Sequence, residues 1–354
     1  MRMHSRNASP ARRRSLGFTL VELMVSLVLG LIVTGAALAM FMTNQRVYTT
    51  TESLGRVQEN VRTAYELMAR DMREVAGTPC EADLPVVNIL NSPNSRWWST
   101  LDGRVRGFDG ATAFSSVYTG DEAFSTAAGV RLAGTDAIEL RSMVSEATAL
   151  AANQASTSPQ FTLQTAAHGL TAGDLVMVCD FNHAAVFQIN SVAGDKIGYG
   201  TSGTPGNCTT GLGFSNPANC TGGGLVYPFQ GNTTIQPQGN AIMARLRMAR
   251  WYIANNSRGG RSLYQTIVVN NAGTLGPFKQ EIADGVQNMR LQYLVQGATT
   301  YVDAGSVNAA DWNTARILAV RVILTVRDRA NASANADVVD RTLEHTVTLR
   351  NRVP

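Results

Sequence analysis

The stretch that decides the fold is GFTLVELMVSLVLGLIVTGAALAMFMT, residues 17–43. From Phe18 to Thr43 it holds 26 residues and one charged side chain, Glu22. A helix of that length covers roughly 39 Å, more than the bilayer hydrocarbon core of about 30 Å. Three arginines at 12–14 precede it, and such a cationic flank keeps the N-terminus of a single span on the cytoplasmic side. The sequence therefore predicts a transmembrane helix over 18–43, with the rest of the chain beyond the membrane.

Two features of this stretch go beyond a simple anchor. Glu22 lies one turn inside the apolar run, where a carboxylate costs about 2.5–3.5 kcal/mol on insertion scales and usually has a partner. Gly17 is a small residue placed before the apolar segment, whereas a secretory signal is cleaved after its apolar core. The alternative is an uncleaved signal anchor, in which the Glu22 carboxylate reaches up to the membrane interface.

A basic leader over 1–17, then Gly-Phe-Thr-Leu-Val-Glu and an unbroken apolar run, resembles the prepilin motif of type IV pilins and type II secretion pseudopilins. The resemblance implies that a prepilin peptidase cleaves after Gly17 and that the new N-terminal residue, Phe18, is methylated. It also implies that the apolar helix is retained and packs among other such helices in a filament. Glu22 would then neutralise the Phe18 amine of a neighbouring subunit and favour the correct axial register, because an unpaired buried charge costs several kcal/mol.

The basic charge of the chain belongs to this leader. The net charge is +4, but five arginines and no acid lie in residues 1–17, so residues 18–354 carry −1. No run of Lys and Arg with interleaved aromatic residues follows, so the sequence predicts no nucleic-acid partner.

An apolar stripe with steps of three and four residues continues beyond the membrane segment and predicts an amphipathic helix. Gly77-Thr78-Pro79 is a stop signal. We predict one long helix over 18–77 whose second half lies on a sheet; the alternative is two helices with a kink near residues 44–51. The stripe contains Leu54, Val57, Val61, Tyr65, Met68, Met72 and Val75, and the other faces carry Arg56, Glu59, Arg62, Glu66, Arg70, Asp71 and Arg73.

Residues 78–354 are predicted to form one β-rich domain outside the cytoplasm. Residues 80–133 lack clear periodicity and suggest irregular loops, in which Trp97-Trp98 favours a local core over an exposed patch. After residue 134, alternating apolar and polar residues indicate antiparallel sheets with one face on a core, so the fold class is α+β. The predicted strands are 137–141, 161–165, 174–181, 184–190, 197–199, 241–254, 263–269, 289–295, 318–326 and 343–349.

Four cysteines on the oxidising side of the membrane suggest two disulfides. Cys208 and Cys220 would close a short loop rich in glycine, asparagine and threonine, which gains roughly 3 kcal/mol on the chain-entropy model. Cys80 and Cys179 then pair by elimination. A zinc site is the competing interpretation, but no C-x-x-C pair is present.

Signals for catalysis are missing from the sequence. It has no G-x-S-x-G, Walker, H-E-x-x-H or EF-hand pattern. His183 is near Asp180, but a loop contact is favoured over a catalytic base, and His345 on an apolar strand face favours a core or interface position. We therefore predict no enzyme, no cofactor and no metal.

Scattered segments between 134 and 327 resemble the PilW-type minor pilins and, similarly, the J-type pseudopilins of type II secretion. The pilin-like fold that this implies is a long helix packed on an enlarged antiparallel sheet domain. The segments are Gly134–Asp136, Gly173–Asp180, Ala185–Ile189, Arg250–Ile253, Ser262–Tyr264, Asp284–Tyr293 and Trp312 before Arg316–Arg327.

The resemblance implies a minor pilin that helps prime pilus assembly and sits at or near the tip. Its implied partners are other minor pilins and the major pilin, the prepilin peptidase, an inner-membrane assembly platform and a large tip adhesin. It would begin as a single-pass inner-membrane protein and end on the pilus at the cell surface. The alternatives are a type II secretion pseudopilin, a membrane-tethered adhesin or receptor module, and a tethered hydrolase.

Overall fold

The structure is a computed structural model that divides between Leu54 and Gly55 into two compact units, each described by itself below. Phe18, Cys80 and Cys220 lie outside the described residues, and for Thr50, Ser53, Leu54, Arg56 and Val57 only the backbone is described. The described residues are 17, 19–75, 84–93, 95–100, 104–118, 120–143, 146–154, 158–213, 225–232, 241–313, 316–327 and 340–349.

The first element, helix α1, spans Leu20–Glu74. It is helical throughout residues 44–51, where two helices were the alternative. Its part Leu20–Thr49, 30 residues long, contains an 18-residue stretch with a mean hydropathy of 2.4 and is long and apolar enough to cross a membrane. The rest of the described chain is rich in strands, so the α+β class is confirmed.

The described residues of the second unit form sixteen strands in three sheets, and one short second helix lies between two of the last strands. They are β1 (Val86–Asn88), β2 (Val105–Phe108), β3 (Ala137–Met143), β4 (Thr148–Ala149), β5 (Gln160–Thr162), β6 (Leu175–Cys179), β7 (Ala184–Gln188), β8 (Ser191–Ala193), β9 (Lys196–Gly198), β10 (Ile242–Asn255), β11 (Arg261–Asn271), β12 (Thr274–Asp284), β13 (Val286–Val295), β14 (Val302–Asp303), β15 (Ile317–Arg327) and β16 (Asp340–Thr348), with helix α2 (Ala309–Asn313) between β14 and β15.

The largest sheet follows the order β1-β7-β6-β10-β11-β12, and its long central strand β10 also pairs with β3 and β4. Its pairs are antiparallel except for β1 with β7. A second, antiparallel sheet has the order β14-β13-β15-β16, and a small third sheet has the order β5-β9-β8.

The second half of α1 packs on both larger sheets. Its stripe residues Val61, Met68, Met72 and Val75 are fully buried in one cluster with residues of β10, β13 and β15. Burying a side chain of this size contributes about 1.5–3 kcal/mol, so this face of the helix is a main source of stability for the second unit. The predicted packing of an amphipathic helix on a sheet is confirmed from Val61 onward.

The segment predicted as irregular loops contributes a second core. Trp97 and Trp98 are buried there, as the interpretation of a local core requires. The guanidinium of Arg250 lies between two aromatic rings, 4.3 Å from the Trp97 centroid and 4.1 Å from that of Phe114. Arg250 Nε also donates to Glu139 Oε1 at 2.7 Å, and Glu139 is fully buried. A charge in this core is therefore both paired and stacked, which offsets its desolvation.

Candidate functional site

The apolar half of α1 is exposed on every side within the N-terminal unit. Its large apolar side chains from Leu20 to Tyr48 keep 52–76% of their surface accessible. A helix that is apolar all round is stable only when lipid or other helices surround it. The exposed surface of this unit therefore suits a lipid bilayer or a bundle of other apolar helices.

The hydroxyl groups of this helix are satisfied internally. Ser26, Thr34 and Thr43 each donate to a backbone carbonyl three or four residues earlier, at 2.8–3.0 Å. This bonding removes free donors from the surface of the helix. The segment can thus enter an apolar medium without these polar groups losing hydrogen bonds.

Thr19 caps the start of the helix. The backbone N–H of Glu22 donates to Thr19 Oγ1 at 3.3 Å, and that of Leu23 donates to the Thr19 carbonyl at 3.1 Å. Thr-x-x-Glu is the spacing of a capping box, and an acid in the first turn complements the helix dipole. Sequence reasoning missed this role of Thr19, although the T-L-V-E pattern at 19–22 carries the signal.

The Glu22 side chain lies in the first turn of a helix whose surroundings are apolar side chains. Within the described residues, no hydrogen bond or ion pair to its carboxylate is present. Gly17 is exposed and non-helical, three residues before the helix begins. Among the described residues, no atom lies within 4 Å of the place where a Cβ on Gly17 would be.

Asp71 fixes the other end of α1 to the large sheet. Its Oδ1 accepts from Arg247 Nη2 at 3.0 Å, and its Oδ2 accepts from Trp251 Nε1 at 2.9 Å and Gln265 Nε2 at 2.6 Å. The side chain is only 5% exposed, although the sequence pattern places it on a face other than the apolar stripe. Its position three residues after Met68 puts it at the border of the buried stripe, and this spacing was the available signal.

His345 on β16 contacts the same helix from the second sheet. Its ring stacks on that of Tyr65, with 4.1 Å between centroids and 26° between planes. His345 is nevertheless exposed, so the expectation of a core position is wrong. The alternative expectation, a position at an interface, is compatible with this exposure.

His183 is a buried structural residue in the loop after β6. Its backbone N–H donates to Asp180 Oδ1 at 2.9 Å, and its ring lies 4.3 Å from that of Tyr227. Burial lowers the pKa of His183 below its ordinary value, which keeps the ring neutral. No group of three metal-binding side chains is present among the described residues.

Two of the four cysteines can be placed. Cys179, at the end of β6, and Cys208 are both disulfide-bonded. Their predicted partners, Cys80 and Cys220, are outside the described residues, so the pairing stays a prediction.

Two family models match the chain. Residues 12–38 match the Prokaryotic N-terminal methylation motif, and residues 250–351 match Type IV Pilus-assembly protein W. Over these two segments the chain is similar to PilW-type minor pilins. No curated protein matches it in sequence.

The two matches cover different parts of the chain. The first contains Gly17, Phe18 and Glu22, and the second extends from within β10 through β16. The similarity expected for residues 134–249 lies outside both matches and stays a prediction. The methylation motif and the apolar helix support membrane anchoring and a place at the pilus surface. The similarity to a pilus-assembly protein also suggests contact with other pilins and with the assembly machinery.

Proposed function

We propose that this chain is a minor pilin of a type IV pilus that is cleaved between Gly17 and Phe18, helps prime pilus assembly and lies at or near the tip. The observation that carries the proposal is a capped helix with a wholly exposed apolar surface and an acid in its first turn, directly after an open glycine. Such a helix is incomplete by itself. The role is structural and needs no catalysis, cofactor or metal.

Cleavage would supply the partner that Glu22 lacks within the described chain. Peptide hydrolysis after Gly17 leaves a protonated amine on Phe18, which methylation keeps charged. That amine and the Glu22 carboxylate of a neighbouring subunit have opposite charges in an apolar setting, where an unpaired charge costs several kcal/mol. The pair therefore favours one axial register between adjacent helices, and priming would consist of setting this register among the first subunits.

The size of the second unit supports a position at the tip. This unit, Gly55–Pro354, is large and includes three sheets in addition to the helix that packs on them. A subunit in the shaft has neighbours on every side, whereas one at the tip has neighbours on one side only. We therefore propose that other minor pilins and the major pilin contact it through their helices, with the assembly platform below and a large adhesin above.

The first test is mass spectrometry of the chain isolated from sheared pili. The expected mature protein begins with N-methylated Phe18. A functional filament protein that still carries residues 1–17 would contradict the proposal.

The second test separates cleavage from assembly. Glu22→Ala should still be cleaved, but its incorporation into pili should fall at least about tenfold, since loss of a buried partner costs several kcal/mol. Ser26→Ala is the matched control, because it removes an internally satisfied hydroxyl from the same helix. Equal incorporation of Glu22→Ala and Ser26→Ala would refute the pairing.

The third test addresses position and priming. Deletion of the gene should reduce the number of pili, and immunogold labelling should mark one end of each filament. Label distributed along the shaft would exclude the tip, and unchanged pilus numbers would exclude priming.

A further inference from the structure

Among the described residues, strand β16 is the long outermost strand at one edge of the second sheet. It pairs with β15 over nine consecutive residue pairs without a register shift. The N–H of Leu349 donates to the carbonyl of Leu318 at 2.9 Å, so odd-numbered residues bond to β15 and even-numbered residues turn their backbone groups outward. No described residue pairs with this outer side. The outward-facing residues are Thr342, Glu344, Thr346 and Thr348.

The other sheet edges in the described part of the chain are protected against pairing with a second chain. Strand β12 contains Pro277, and its pairing with β11 has a bulge. Strand β2 has four residues, β1, β5 and β8 have three each, and β4 and β14 have two. Proteins use these devices to block edges. Strand β16 has no proline, lysine or bulge and is rich in threonine, which favours strand pairing.

The acidic groups on this edge are neutralised within the chain. Arg321 Nε lies 3.3 Å from Glu344 Oε1, and Arg327 Nε lies 2.7 Å from Asp340 Oδ1. Charged side chains usually deter a second strand. Because both acids have cations beside them, the edge carries little net charge that would repel an incoming strand.

The apolar face of the sheet is also unfinished at β16. Leu343 is half-buried, and His345 is exposed although its ring stacks on Tyr65 of α1. A strand added beside β16 would place every second side chain over this surface. The occupant that fits is an extended segment with alternating apolar and polar residues, its apolar side chains toward Tyr65 and His345.

A second copy of the chain fits this edge poorly. Antiparallel pairing of two β16 strands requires a two-fold axis perpendicular to the sheet. The helix segments that pack on the two sheets, each starting at Gly55, would then run in opposite directions. Subunits that are anchored in one membrane through their N-terminal spans favour helices that run the same way.

We propose that β16 is an interaction edge that is completed by an extended strand of a different pilin-type subunit. The inference rests on the proposed function, which supplies such neighbours. Backbone hydrogen bonds along β16 would hold the two subunits together, and the alternate apolar side chains of the partner would cover the exposed surface beside Tyr65.

The test uses the full chain in assembled pili, with a photo-crosslinking amino acid at Thr342 or Thr346. Ser257, exposed in the turn between β10 and β11, is the control position. Cross-linked peptides should come from one stretch of one other pilin, and the two attachment points should differ by about four residues, as strand pairing requires. Cross-links to a second copy, to residues 328–339 or 350–354 of the same chain, or without a common register would overturn the proposal.

Backbone substitution provides the second readout. Thr346→Pro removes an outward N–H and no bond to β15, whereas Thr346→Ala keeps it. Cross-linking from Thr342 should fall about five- to tenfold in the proline variant and stay unchanged in the alanine variant. Thr346→Lys, which retains the N–H but adds a charge, should also reduce it. Equal cross-linking in all variants would refute the proposal.

The outcomes separate this inference from the proposed function. If deletion of the gene leaves pilus numbers unchanged, the priming role fails. If deletion of the gene reduces pilus numbers, but the Thr346→Pro variant expressed in the deletion strain gives wild-type pilus numbers and wild-type cross-linking, only the edge proposal fails.

Discussion

Replacing Asp71 by alanine should loosen the second half of α1 from the large sheet. The carboxylate accepts hydrogen bonds from Trp251, Gln265 and Arg247, which lie on β10 and β11. Trp251 is fully buried and Gln265 is 7% exposed, so water cannot readily replace the lost acceptor for either. Because these donors are far from α1 in sequence, Asp71 is a tertiary anchor of the helix.

The expected cost follows from counting the donors that are left unpaired. A buried donor without a partner costs about 1–3 kcal/mol, and two such donors remain after Asp71→Ala. The side chain of Arg247 is 36% exposed and can be hydrated, so its pair adds about 1 kcal/mol or less. The total, about 3–5 kcal/mol, agrees with the cost of breaking a buried pair on one side. It is a large part of a typical unfolding free energy of about 5–15 kcal/mol.

Denaturant unfolding of the full chain in detergent, followed by tryptophan fluorescence, measures this loss. Trp251 lies at the contact and should report the first change. Asp71→Asn keeps one acceptor oxygen and should lose about 1–3 kcal/mol, so the order of stability is wild type, asparagine, alanine. Hydrogen exchange at Val61–Glu74 should become faster in the same order.

Glu66→Ala is the control for a charge on the same helix. Glu66 is exposed, and among the described residues its ion pair is with Arg62, a contact worth about 0.3–0.5 kcal/mol. If Asp71→Ala destabilises the protein no more than Glu66→Ala does, the carboxylate is not an anchor and the reasoning is refuted.

Three further perturbations test other parts of the second unit by the same unfolding measurement. Gly107→Ala should lower the free energy of unfolding by about 1–3 kcal/mol, because the added Cβ would overlap the ring and hydroxyl of Tyr293. Tyr293→Phe should leave that free energy unchanged or raise it, since the buried hydroxyl has no hydrogen-bond partner among the described residues. Arg250→Lys should cost about 2–4 kcal/mol, because lysine keeps the charge near buried Glu139 but loses the planar stacking; equal stability would contradict this. Burial lowers the pKa of His183 in the folded state, so the unfolded state binds the proton first and stability should fall as pH drops below about 6.5; His183→Gln should flatten this slope, and an unchanged slope would exclude the residue as its source.

Much of the fold was accessible from residue patterns that report local environment. Alternation at 289–295, 318–326 and 343–349 correctly predicted β13, β15 and β16, because one face of each strand lies on a core or contact surface. Strand β12 was missed because Gly276 and Pro277 interrupt its pattern. An edge strand tolerates a proline that a central strand would not.

The non-periodic region between 80 and 133 was harder to interpret. It was predicted as irregular, and it holds the short strands β1 and β2 as well as the buried pair Trp97 and Trp98. Its order comes from long-range contacts such as the stacking of Trp97 on Arg250, more than 150 positions away, which no local pattern encodes. Composition alone therefore indicated the core but not its architecture.

Two acids of α1, Glu22 and Asp71, show what a single sequence can and cannot reveal. Glu22 stands out locally, because it is the one charge in an apolar run. Asp71 does not, because its partners Trp251 and Gln265 are 180 and 194 positions away and only folding brings them to it. A motif within one segment can be recognised, whereas a contact between distant segments needs the structure.

The same two acids also separate folding from assembly. A carboxylate in apolar surroundings needs donors, and Asp71 obtains three of them from its own chain. The backbone N–H of Glu22 donates to Thr19 Oγ1, but within the described residues no donor contacts the Glu22 carboxylate. Loss of Asp71 should therefore appear in the unfolding of the isolated chain, whereas loss of Glu22 should leave that unfolding unchanged and appear only when subunits are incorporated into pili. Since each measurement can be made without the other, a defect of Glu22→Ala in the isolated chain would show that its carboxylate serves folding and would remove the argument for a partner subunit.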